Sequence, residues 1–249
     1  MSKPFFLSAA LSAILCAGFT SCQTTGETKK DESTTAQASA ANTESYESLP
    51  YPQTPDEAIA RLKEGNRRFV NDQAIHPNRS DERKIVQARK QTPFVAVMSC
   101  SDSRVPSEIV FDQGLGDIFV VRTAGQVMAD ASEGSLEFAT AVLGVKAIVV
   151  MGHEKCGAVK GAIGRDPLPG KIEYVVNQIR PAIKPHIGKE DKLEEAAHDN
   201  VVYQVNRLIR LDPIIGKAVR EGKIKVVGAY YNLDTGKVEF MDEASKEFL

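Results

Sequence analysis

The chain has 249 residues, 42% of them hydrophobic and 26% charged, and a formal net charge of -2 at pH 7. A chain of this size and balance can bury one sizeable core and does not require a second domain. Because there is no global basic excess, the composition argues against nucleic acid as a partner and favours a small or neutral substrate.

Residues 1–21 form a predicted signal peptide. Lys3 precedes an apolar run that ends near Phe19, which is too short and too soon followed by polar residues to be a stable membrane span. The end of this run, Phe19-Thr-Ser-Cys22, resembles a bacterial lipobox, with Phe19 in place of the usual leucine. Cys22 is therefore the predicted lipidation site, and an ordinary secretory signal is the alternative.

Residues 22–50 are the predicted lipid-anchored, flexible tether. They are rich in Thr, Ser, Ala, Glu and Lys, with almost no large apolar residue to offset the entropy lost on folding. Several acyl chains on one cysteine anchor a protein stably. Gln23, which follows the cysteine, differs from the Asp that retains lipoproteins at the inner membrane. The sequence thus predicts export to the periplasmic side of a bacterial membrane, as an outer-membrane lipoprotein.

Residues 51–249 are the predicted folded domain, and its first segments are helical. Thr54 suits a helix N-cap and Pro55 suits the first turn, and apolar residues recur at helical spacing up to Val70, so an N-terminal helix is predicted here. A second helix is predicted from Ser80 to about Lys90. Four further helices are predicted later in the chain: Ser132–Leu143, Cys156–Ile163, Ile172–Ile183 and Glu190–Ile209.

Short, continuous apolar runs predict strands that are buried on both faces of a parallel sheet. There are four such runs: Phe94–Met98, Ile118–Arg122, Ala147–Met151 and Lys225–Tyr231. The last run continues into an Asp-Thr-Gly turn and an alternating segment, which predicts an antiparallel edge strand. The predicted fold is therefore α/β, with a mainly parallel central sheet of about four parallel strands plus the edge strand, flanked by helices.

Cysteine and histidine follow two of these strands. Cys100 comes after the first run, and His153 and Cys156 come after the third. Ligand sites in α/β sheets lie at the carboxyl ends of the strands. Two thiolates and an imidazole are good zinc ligands, and three protein ligands leave the fourth position open, as catalytic sites require. The alternative is a Cys100–Cys156 disulfide, which an exported protein could form.

Asp102 and Arg104 extend the metal site toward catalysis. Spaced two residues apart, they can form a bidentate pair in which Arg104 keeps Asp102 ionised. Such a carboxylate can accept a hydrogen bond from zinc-bound hydroxide, or it can move onto the zinc and close the site. The alternative is a surface ion pair worth under about 1 kcal/mol. Because Asp102 and Arg104 lie next to Cys100 in the sequence, a catalytic role for the pair is favoured over a surface ion pair.

These motifs resemble those of β-class carbonic anhydrases. The resemblance rests on Cys-Ser-Asp-Ser-Arg at 100–104, Gly-His-Glu-Lys-Cys-Gly at 152–157, and the intervening segment 114–125, Gly-Leu-Gly-Asp-Ile-Phe-Val-Val-Arg-Thr-Ala-Gly. It extends to the helix at 61–69 and to the closing segment at 233–238. The resemblance implies zinc-dependent, reversible hydration of CO2 to bicarbonate and a proton by zinc-bound hydroxide.

The resemblance also implies roles for particular residues. Zn²⁺ would be held by three ligands: Cys100, His153 and Cys156. Asp102 and Arg104 would form the catalytic dyad, Gln113 would donate a hydrogen bond to substrate, and the Gly157 N–H would help to hold bicarbonate. The family's subclass with a non-catalytic bicarbonate site uses a tryptophan, which this chain lacks. We therefore predict that Asp102 does not ligate zinc at neutral pH and does so only in a closed state.

The resemblance further implies a homodimer or homotetramer in which protomers exchange the helical arm at 54–72. Two other functions remain open from the sequence. One is a non-catalytic zinc-binding lipoprotein that stores or scavenges metal. The other is a hydrolase of carbon disulfide or carbonyl sulfide on the same fold, because such an enzyme would differ in its access channels rather than in its ligands.

Overall fold

The structure is a computed structural model that describes residues 50–241. The predicted signal peptide 1–21, the lipidation site Cys22 and the predicted tether up to residue 49 lie outside the described residues, as does the C-terminal segment 242–249. Among the described residues, no helix is long and apolar enough to span a bilayer.

The centre of the domain is a five-stranded sheet in the order β2-β1-β3-β4-β5. The strands are β1 Val95–Cys100, β2 Ile118–Thr123, β3 Ala147–His153, β4 Lys225–Tyr231 and β5 Val238–Met241. Strands β1 to β4 are mutually parallel, and β5 pairs antiparallel with β4. The predicted α/β fold, with four parallel strands and one antiparallel edge strand, is therefore confirmed.

Eight α-helices are described between residues 50 and 241. They are α1 Pro55–Val70, α2 Asp81–Arg89, α3 Ser107–Val110, α4 Asp130–Phe138, α5 Gly157–Ile163, α6 Ile172–Ile179, α7 Leu193–Arg210 and α8 Pro213–Arg220. The sequence did not predict α3 or α8, which are short. It placed the end of α6 four residues too late, because the chain leaves the helix after Ile179 although its apolar residues continue to Ile183.

The sheet separates two layers of core because successive side chains along a strand point to opposite faces. On β1, Ala96, Met98 and Cys100 belong to the core beneath helices α4 to α8. Val95 and Val97 belong to the core on the other face, which α1 covers. Cys100 and Cys156 thus lie in the same core as α7, whereas His153 follows Ala147, Val149 and Met151 of the other face in the alternation along β3.

Helix α1 begins with the predicted N-cap. Thr54 and Glu57 form a reciprocal capping box, which satisfies backbone N–H groups that have no partner within the helix. Ala58 and Leu62 are fully buried in the core of the second face. The arm expected to be exchanged between protomers therefore covers its own sheet in this structure.

Candidate metal centre

The two segments that carry the candidate ligands meet at the carboxyl ends of two neighbouring inner strands. Strand β1 ends at Cys100 and its neighbour β3 ends at His153, and the two strands are parallel and hydrogen-bonded. Their carboxyl ends therefore lie side by side. The chain then turns within three residues, and Cys156 precedes the first residue of α5.

The ligand atoms of Cys100, His153 and Cys156 all lie within 4.8 Å of one another. The exposed fraction of each residue is 4% or less. Both cysteines are free thiols, so the structure has no Cys100–Cys156 disulfide. Two sulfurs and one imidazole nitrogen at this separation match the donor set of a zinc site with three protein ligands.

The histidine is oriented for metal binding. His153 Nδ1 lies 2.8 Å from the carbonyl oxygen of Glu154. Because a carbonyl can only accept, Nδ1 carries the proton and Nε2 keeps its lone pair. Nε2 is buried without a hydrogen-bond partner. An orphaned buried nitrogen beside two thiols fits a metal ligand, and a hydrogen bond from the other ring nitrogen is the usual support for such a histidine.

The two thiols are close enough to change each other's pKa. The hydrogen bond from Cys156 lowers the pKa of Cys100, and the Gly125 N–H at 3.2 Å from its Sγ acts in the same direction. The same contact raises the pKa of Cys156, since ionising it would place a second charge beside the Cys100 thiolate. Cys100 and Cys156 would suit a divalent cation as ligands, because a positive charge held by both sulfurs would favour the ionised form of both thiols.

Asp102 and Arg104 form the predicted pair next to the ligands. Arg104 donates from Nε to Asp102 Oδ1 at 2.9 Å and from a terminal nitrogen to Oδ2 at 2.8 Å, and its backbone N–H also reaches Oδ1. These hydrogen bonds hold the pKa of Asp102 well below its usual range. Asp102 Oδ2 lies 4.0 Å from His153 Nε2, so the carboxylate borders the group of three ligands without belonging to it.

Sequence reasoning missed a second arginine. Arg122, on β2, donates from Nε to the carbonyl oxygen of Cys100 at 2.9 Å and from a terminal nitrogen to that of Asp102 at 2.6 Å. The only signal in the sequence was its place in the segment that carries the family resemblance. A guanidinium is suited to this task because its donors lie in a fixed fork. Arg122 thus stabilises the turn that leads from Cys100 to the Asp102–Arg104 pair.

Gly125 is required by both conformation and space. Its φ of 68° lies in the left-handed region that favours glycine. A Cβ atom there would lie 2.7 Å from Cδ1 of Ile179 and 3.0 Å from Cβ of Ala158. A side chain at this position would therefore strain or shift the loop whose N–H donates to the Cys100 Sγ.

The structure places the two candidate substrate-binding residues differently. Gly157 is the first residue of α5, and no atom lies within 4 Å of the point where a Cβ would stand. Gln113 is 1% exposed and lies two residues after Phe111, which belongs to the core that α1 covers. Both the nitrogen and the oxygen of its side-chain amide are hydrogen-bonded. Its Nε2 donates to the Phe111 carbonyl at 2.8 Å, and its Oε1 accepts from Arg61 of α1 at 3.0 Å. These contacts tie Gln113 to its own loop and to α1 within the protomer.

Comparison with known proteins identifies the family. A family model described as carbonic anhydrase matches residues 95–238, which include all three ligands and the dyad. The chain belongs to the β-class carbonic anhydrase family. Carbonic anhydrase 2 of Mycobacterium tuberculosis is 40% identical over 195 residues, which cover 76% of this chain and 93% of that protein. The carbonic anhydrase of Mycolicibacterium smegmatis is 42% identical and covers 74% and 92%.

Solved structures of β-carbonic anhydrases share the fold. CafA of Aspergillus fumigatus has a TM-score of 0.60 at 27% identity, covering 77% of this chain and 95% of that one. The Coccomyxa enzyme, in complex with acetazolamide, has a TM-score of 0.59 at 26% identity, covering 74% and 86%. Zinc is the cofactor of β-carbonic anhydrases, and the Cys-His-Cys group of this member is positioned to bind it.

Proposed function

We propose that Cys100, His153 and Cys156 hold one zinc ion at which this carbonic anhydrase hydrates CO2 reversibly to bicarbonate and a proton. The observation that carries the proposal is the convergence of three buried ligand atoms within 4.8 Å. Bound zinc supplies a nucleophile at neutral pH because it lowers the pKa of a water molecule to about 7, a value taken from carbonic anhydrases with three histidine ligands.

Asp102 and Arg104 prepare the fourth position of this site. Because Arg104 keeps Asp102 ionised, the carboxylate can only accept hydrogen bonds. A hydroxyl group beside the three ligands would turn its proton toward Asp102 and its lone pair toward CO2. The three hydrogen bonds from Arg104 also restrain Asp102 from moving onto the metal, which supports the prediction of an open site at neutral pH.

The substrate-binding roles rest on different support. Gly157 is the first residue of α5, where a backbone N–H has no partner within the helix, and this supports a donor available to bicarbonate. The hydrogen bonds of Gln113 to Arg61 and Phe111 argue against a donor that is available to substrate in the same protomer. If Gln113 donates a hydrogen bond to substrate, Gln113→Ala should raise the KM. If Gln113 only stabilises the fold, the same variant should lower the stability and leave the KM unchanged.

The direct test is to measure zinc content and stopped-flow CO2 hydration on the same preparation. About one zinc ion per chain, together with hydration activity, is the expected result. A preparation with no zinc and a Cys100–Cys156 disulfide would contradict the proposal.

Measurements on the same preparation also distinguish CO2 hydration from two other functions. A zinc-storing lipoprotein would bind the metal but would not need Asp102, so Asp102→Ala would change nothing that could be measured. A hydrolase of carbon disulfide or carbonyl sulfide would process those substrates faster than CO2. Substrate profiling decides between these outcomes.

We further propose that the protein is a homodimer or homotetramer. Two β-carbonic anhydrases of Sordaria macrospora are described as tetrameric; one matches at 22% identity with a TM-score of 0.60, covering 74% of this chain and 96% of that one. Helix α2 buries none of its residues, and Ile85 and Val86 are 60% and 58% exposed. Light scattering on wild type and on an Ile85→Glu, Val86→Glu double variant tests whether this helix lies at an interface.

Export and lipid anchoring are proposed from the N-terminal sequence alone. The lipobox-like Phe19-Thr-Ser-Cys22 and the polar segment that follows it favour an outer-membrane lipoprotein with its domain on the periplasmic side. Mass spectrometry of the mature N-terminus tests this directly, because an acylated Cys22 and an unmodified N-terminus differ in mass. Release of Cys22→Ser into the soluble periplasmic fraction is the expected companion result.

A further inference from the structure

Helix α7 carries two buried side-chain amides toward the metal centre. Asn200 and Gln204 are both 0% exposed and lie one helical turn apart. Their neighbours on the buried face are apolar and include Ala197, Val201 and Val205. A buried amide left without partners costs about 1–3 kcal/mol, so such residues require specific hydrogen bonds.

The two amides form a directed chain of hydrogen bonds to the loop that contacts Cys100. The Met128 N–H donates to Gln204 Oε1 at 3.3 Å, and Gln204 Nε2 donates to Asn200 Oδ1 at 3.2 Å. Asn200 Nδ2 then donates to the Gly125 carbonyl oxygen at 2.9 Å. Because Gln204 occupies the oxygen of Asn200, the Nδ2 of Asn200 is the end that faces Gly125.

The loop that these amides hold has a strained backbone. Gly125 and Gln126 have φ values of 68° and 43°, so two consecutive residues lie in the left-handed region. A non-glycine residue in that region costs of order 1–3 kcal/mol and persists only where the surroundings enforce it. In this conformation the Gly125 N–H points to Cys100 Sγ at 3.2 Å.

We infer that Asn200 and Gln204 are positioning residues for the metal centre: they hold Gly125 where its N–H donates to the Cys100 sulfur. They touch neither the ligands nor a substrate, and they act through the peptide groups of the loop. A hydrogen bond to a ligand sulfur withdraws electron density from the sulfur and restrains the orientation of the cysteine side chain. Groups that orient metal ligands typically change metal affinity or activity by roughly 10- to 100-fold when they are removed.

The test compares Asn200→Leu with wild type, using the metal itself as the probe. Leucine has the same branched arrangement of heavy atoms but no donor, so the loop should lose its anchor. We expect the zinc dissociation constant, measured by chelator competition, to rise about tenfold. We also expect the sulfur-to-cobalt charge-transfer band of the Co²⁺-substituted protein to shift, because that band reports on the thiolate directly.

Asn66→Leu is the matched control. Asn66 is a buried amide of α1 that bonds Val110, Gly236 and Val238, so its loss should destabilise the fold at least as much. It contacts the opposite core, and we expect a lower melting temperature with wild-type zinc affinity and an unchanged cobalt band. Equal changes in both variants would overturn the inference, because the effect would then be general destabilisation.

Gln204→Met provides a second variant in case Asn200→Leu does not fold. It keeps the side-chain volume but removes the group that orients Asn200, so a smaller shift in the same direction is expected. Wild-type zinc affinity and an unchanged cobalt band in a folded variant would overturn the inference. The inference rests on the proposed zinc site, but CO2 hydration by wild type tests the proposed function separately from these metal readouts.

Discussion

The two strand ends that form the metal centre are stabilised in different ways. At the end of β1, neighbouring groups donate to the segment: Arg122 reaches the carbonyls of Cys100 and Asp102, and the Gly125 N–H reaches the Cys100 sulfur. The segment then presents the charged pair of Asp102 and Arg104 beside the ligands. In the proposed site, this end would therefore supply both a metal ligand and the carboxylate that borders the fourth position.

At the end of β3, the segment between the ligands is fixed by carboxylates. Glu154 accepts from Asn232 Nδ2 at 2.5 Å and from the Leu233 N–H at 3.0 Å, and the Lys155 N–H donates to Glu194 of α7 at 3.1 Å. The turn after β4 thus holds the β3 end from outside the ligand cluster. The difference indicates that changes at the β3 end act on metal binding and stability, whereas changes at the β1 end also act on the chemistry.

The largest effect is expected from Cys156→Ser, which removes a ligand. Serine remains protonated at neutral pH and is a poor zinc ligand, so both zinc and CO2 hydration should be lost. Elemental analysis and stopped-flow kinetics measure the two losses. Stoichiometric zinc in Cys156→Ser would refute the ligand assignment.

Asp102→Asn should separate the two strand ends most clearly. The amide keeps the shape of the carboxylate but loses the charge and one acceptor, so hydration should fall by roughly a hundredfold, within the usual range for a group that handles a proton. Zinc content should remain at the wild-type value because Asp102 lies outside the ligand group. Parallel loss of zinc would show instead that Asp102 belongs to the metal site.

Arg122→Gln tests how the β1 end is held. Glutamine cannot bridge the Cys100 and Asp102 carbonyls as the guanidinium does, so zinc affinity and hydration rate should each fall about tenfold. Arg89→Gln, at the exposed end of α2, makes the same change of charge away from the site. Equal behaviour of the two variants would mean that the loss of a positive charge, and not the bridge, explains the effect.

Glu154→Gln should have the smallest effect on catalysis. The neutral amide keeps one acceptor, but it loses the charge-assisted hydrogen bonds to Asn232 and Leu233, which should lower the free energy of unfolding by about 2 kcal/mol. Denaturant unfolding measures this change. The turnover number per bound zinc should stay at its wild-type value, and a large fall in that number would assign the β3 end a direct role in the chemistry.

Much of the fold was predictable because its signals are local. The buried strands are continuous apolar runs, and Thr54 and Pro55 mark the start of α1. The four-residue helix α3 was not predicted because only a few residues carry its pattern, whereas α8 was missed although Asp212 and Pro213 mark its start. Strand β1 was predicted to end at Met98 but continues to Cys100, since the pairing of Cys100 with Thr123 on β2 extends it.

The ligand set was also predictable, because cysteine and histidine at two parallel strand ends restrict the possible chemistry. Arg122, Asn200 and Gln204 were not, since an arginine on a strand and amides in a helix have no distinctive spacing. The environment of Gln113 was likewise hidden, because its partner Arg61 lies 52 residues away in the chain.

The sequence by itself determined the order of elements, the identity of the three ligands and the family to which the chain belongs. Those properties depend on residue type and on spacing within a short segment. Only the tertiary structure decided which nitrogen of His153 is available, which residues hold the Cys100 sulfur, and which face of the sheet Gln113 occupies. Each of these depends on contacts between distant segments, which form only when the sheet brings β1, β2, β3 and α7 together.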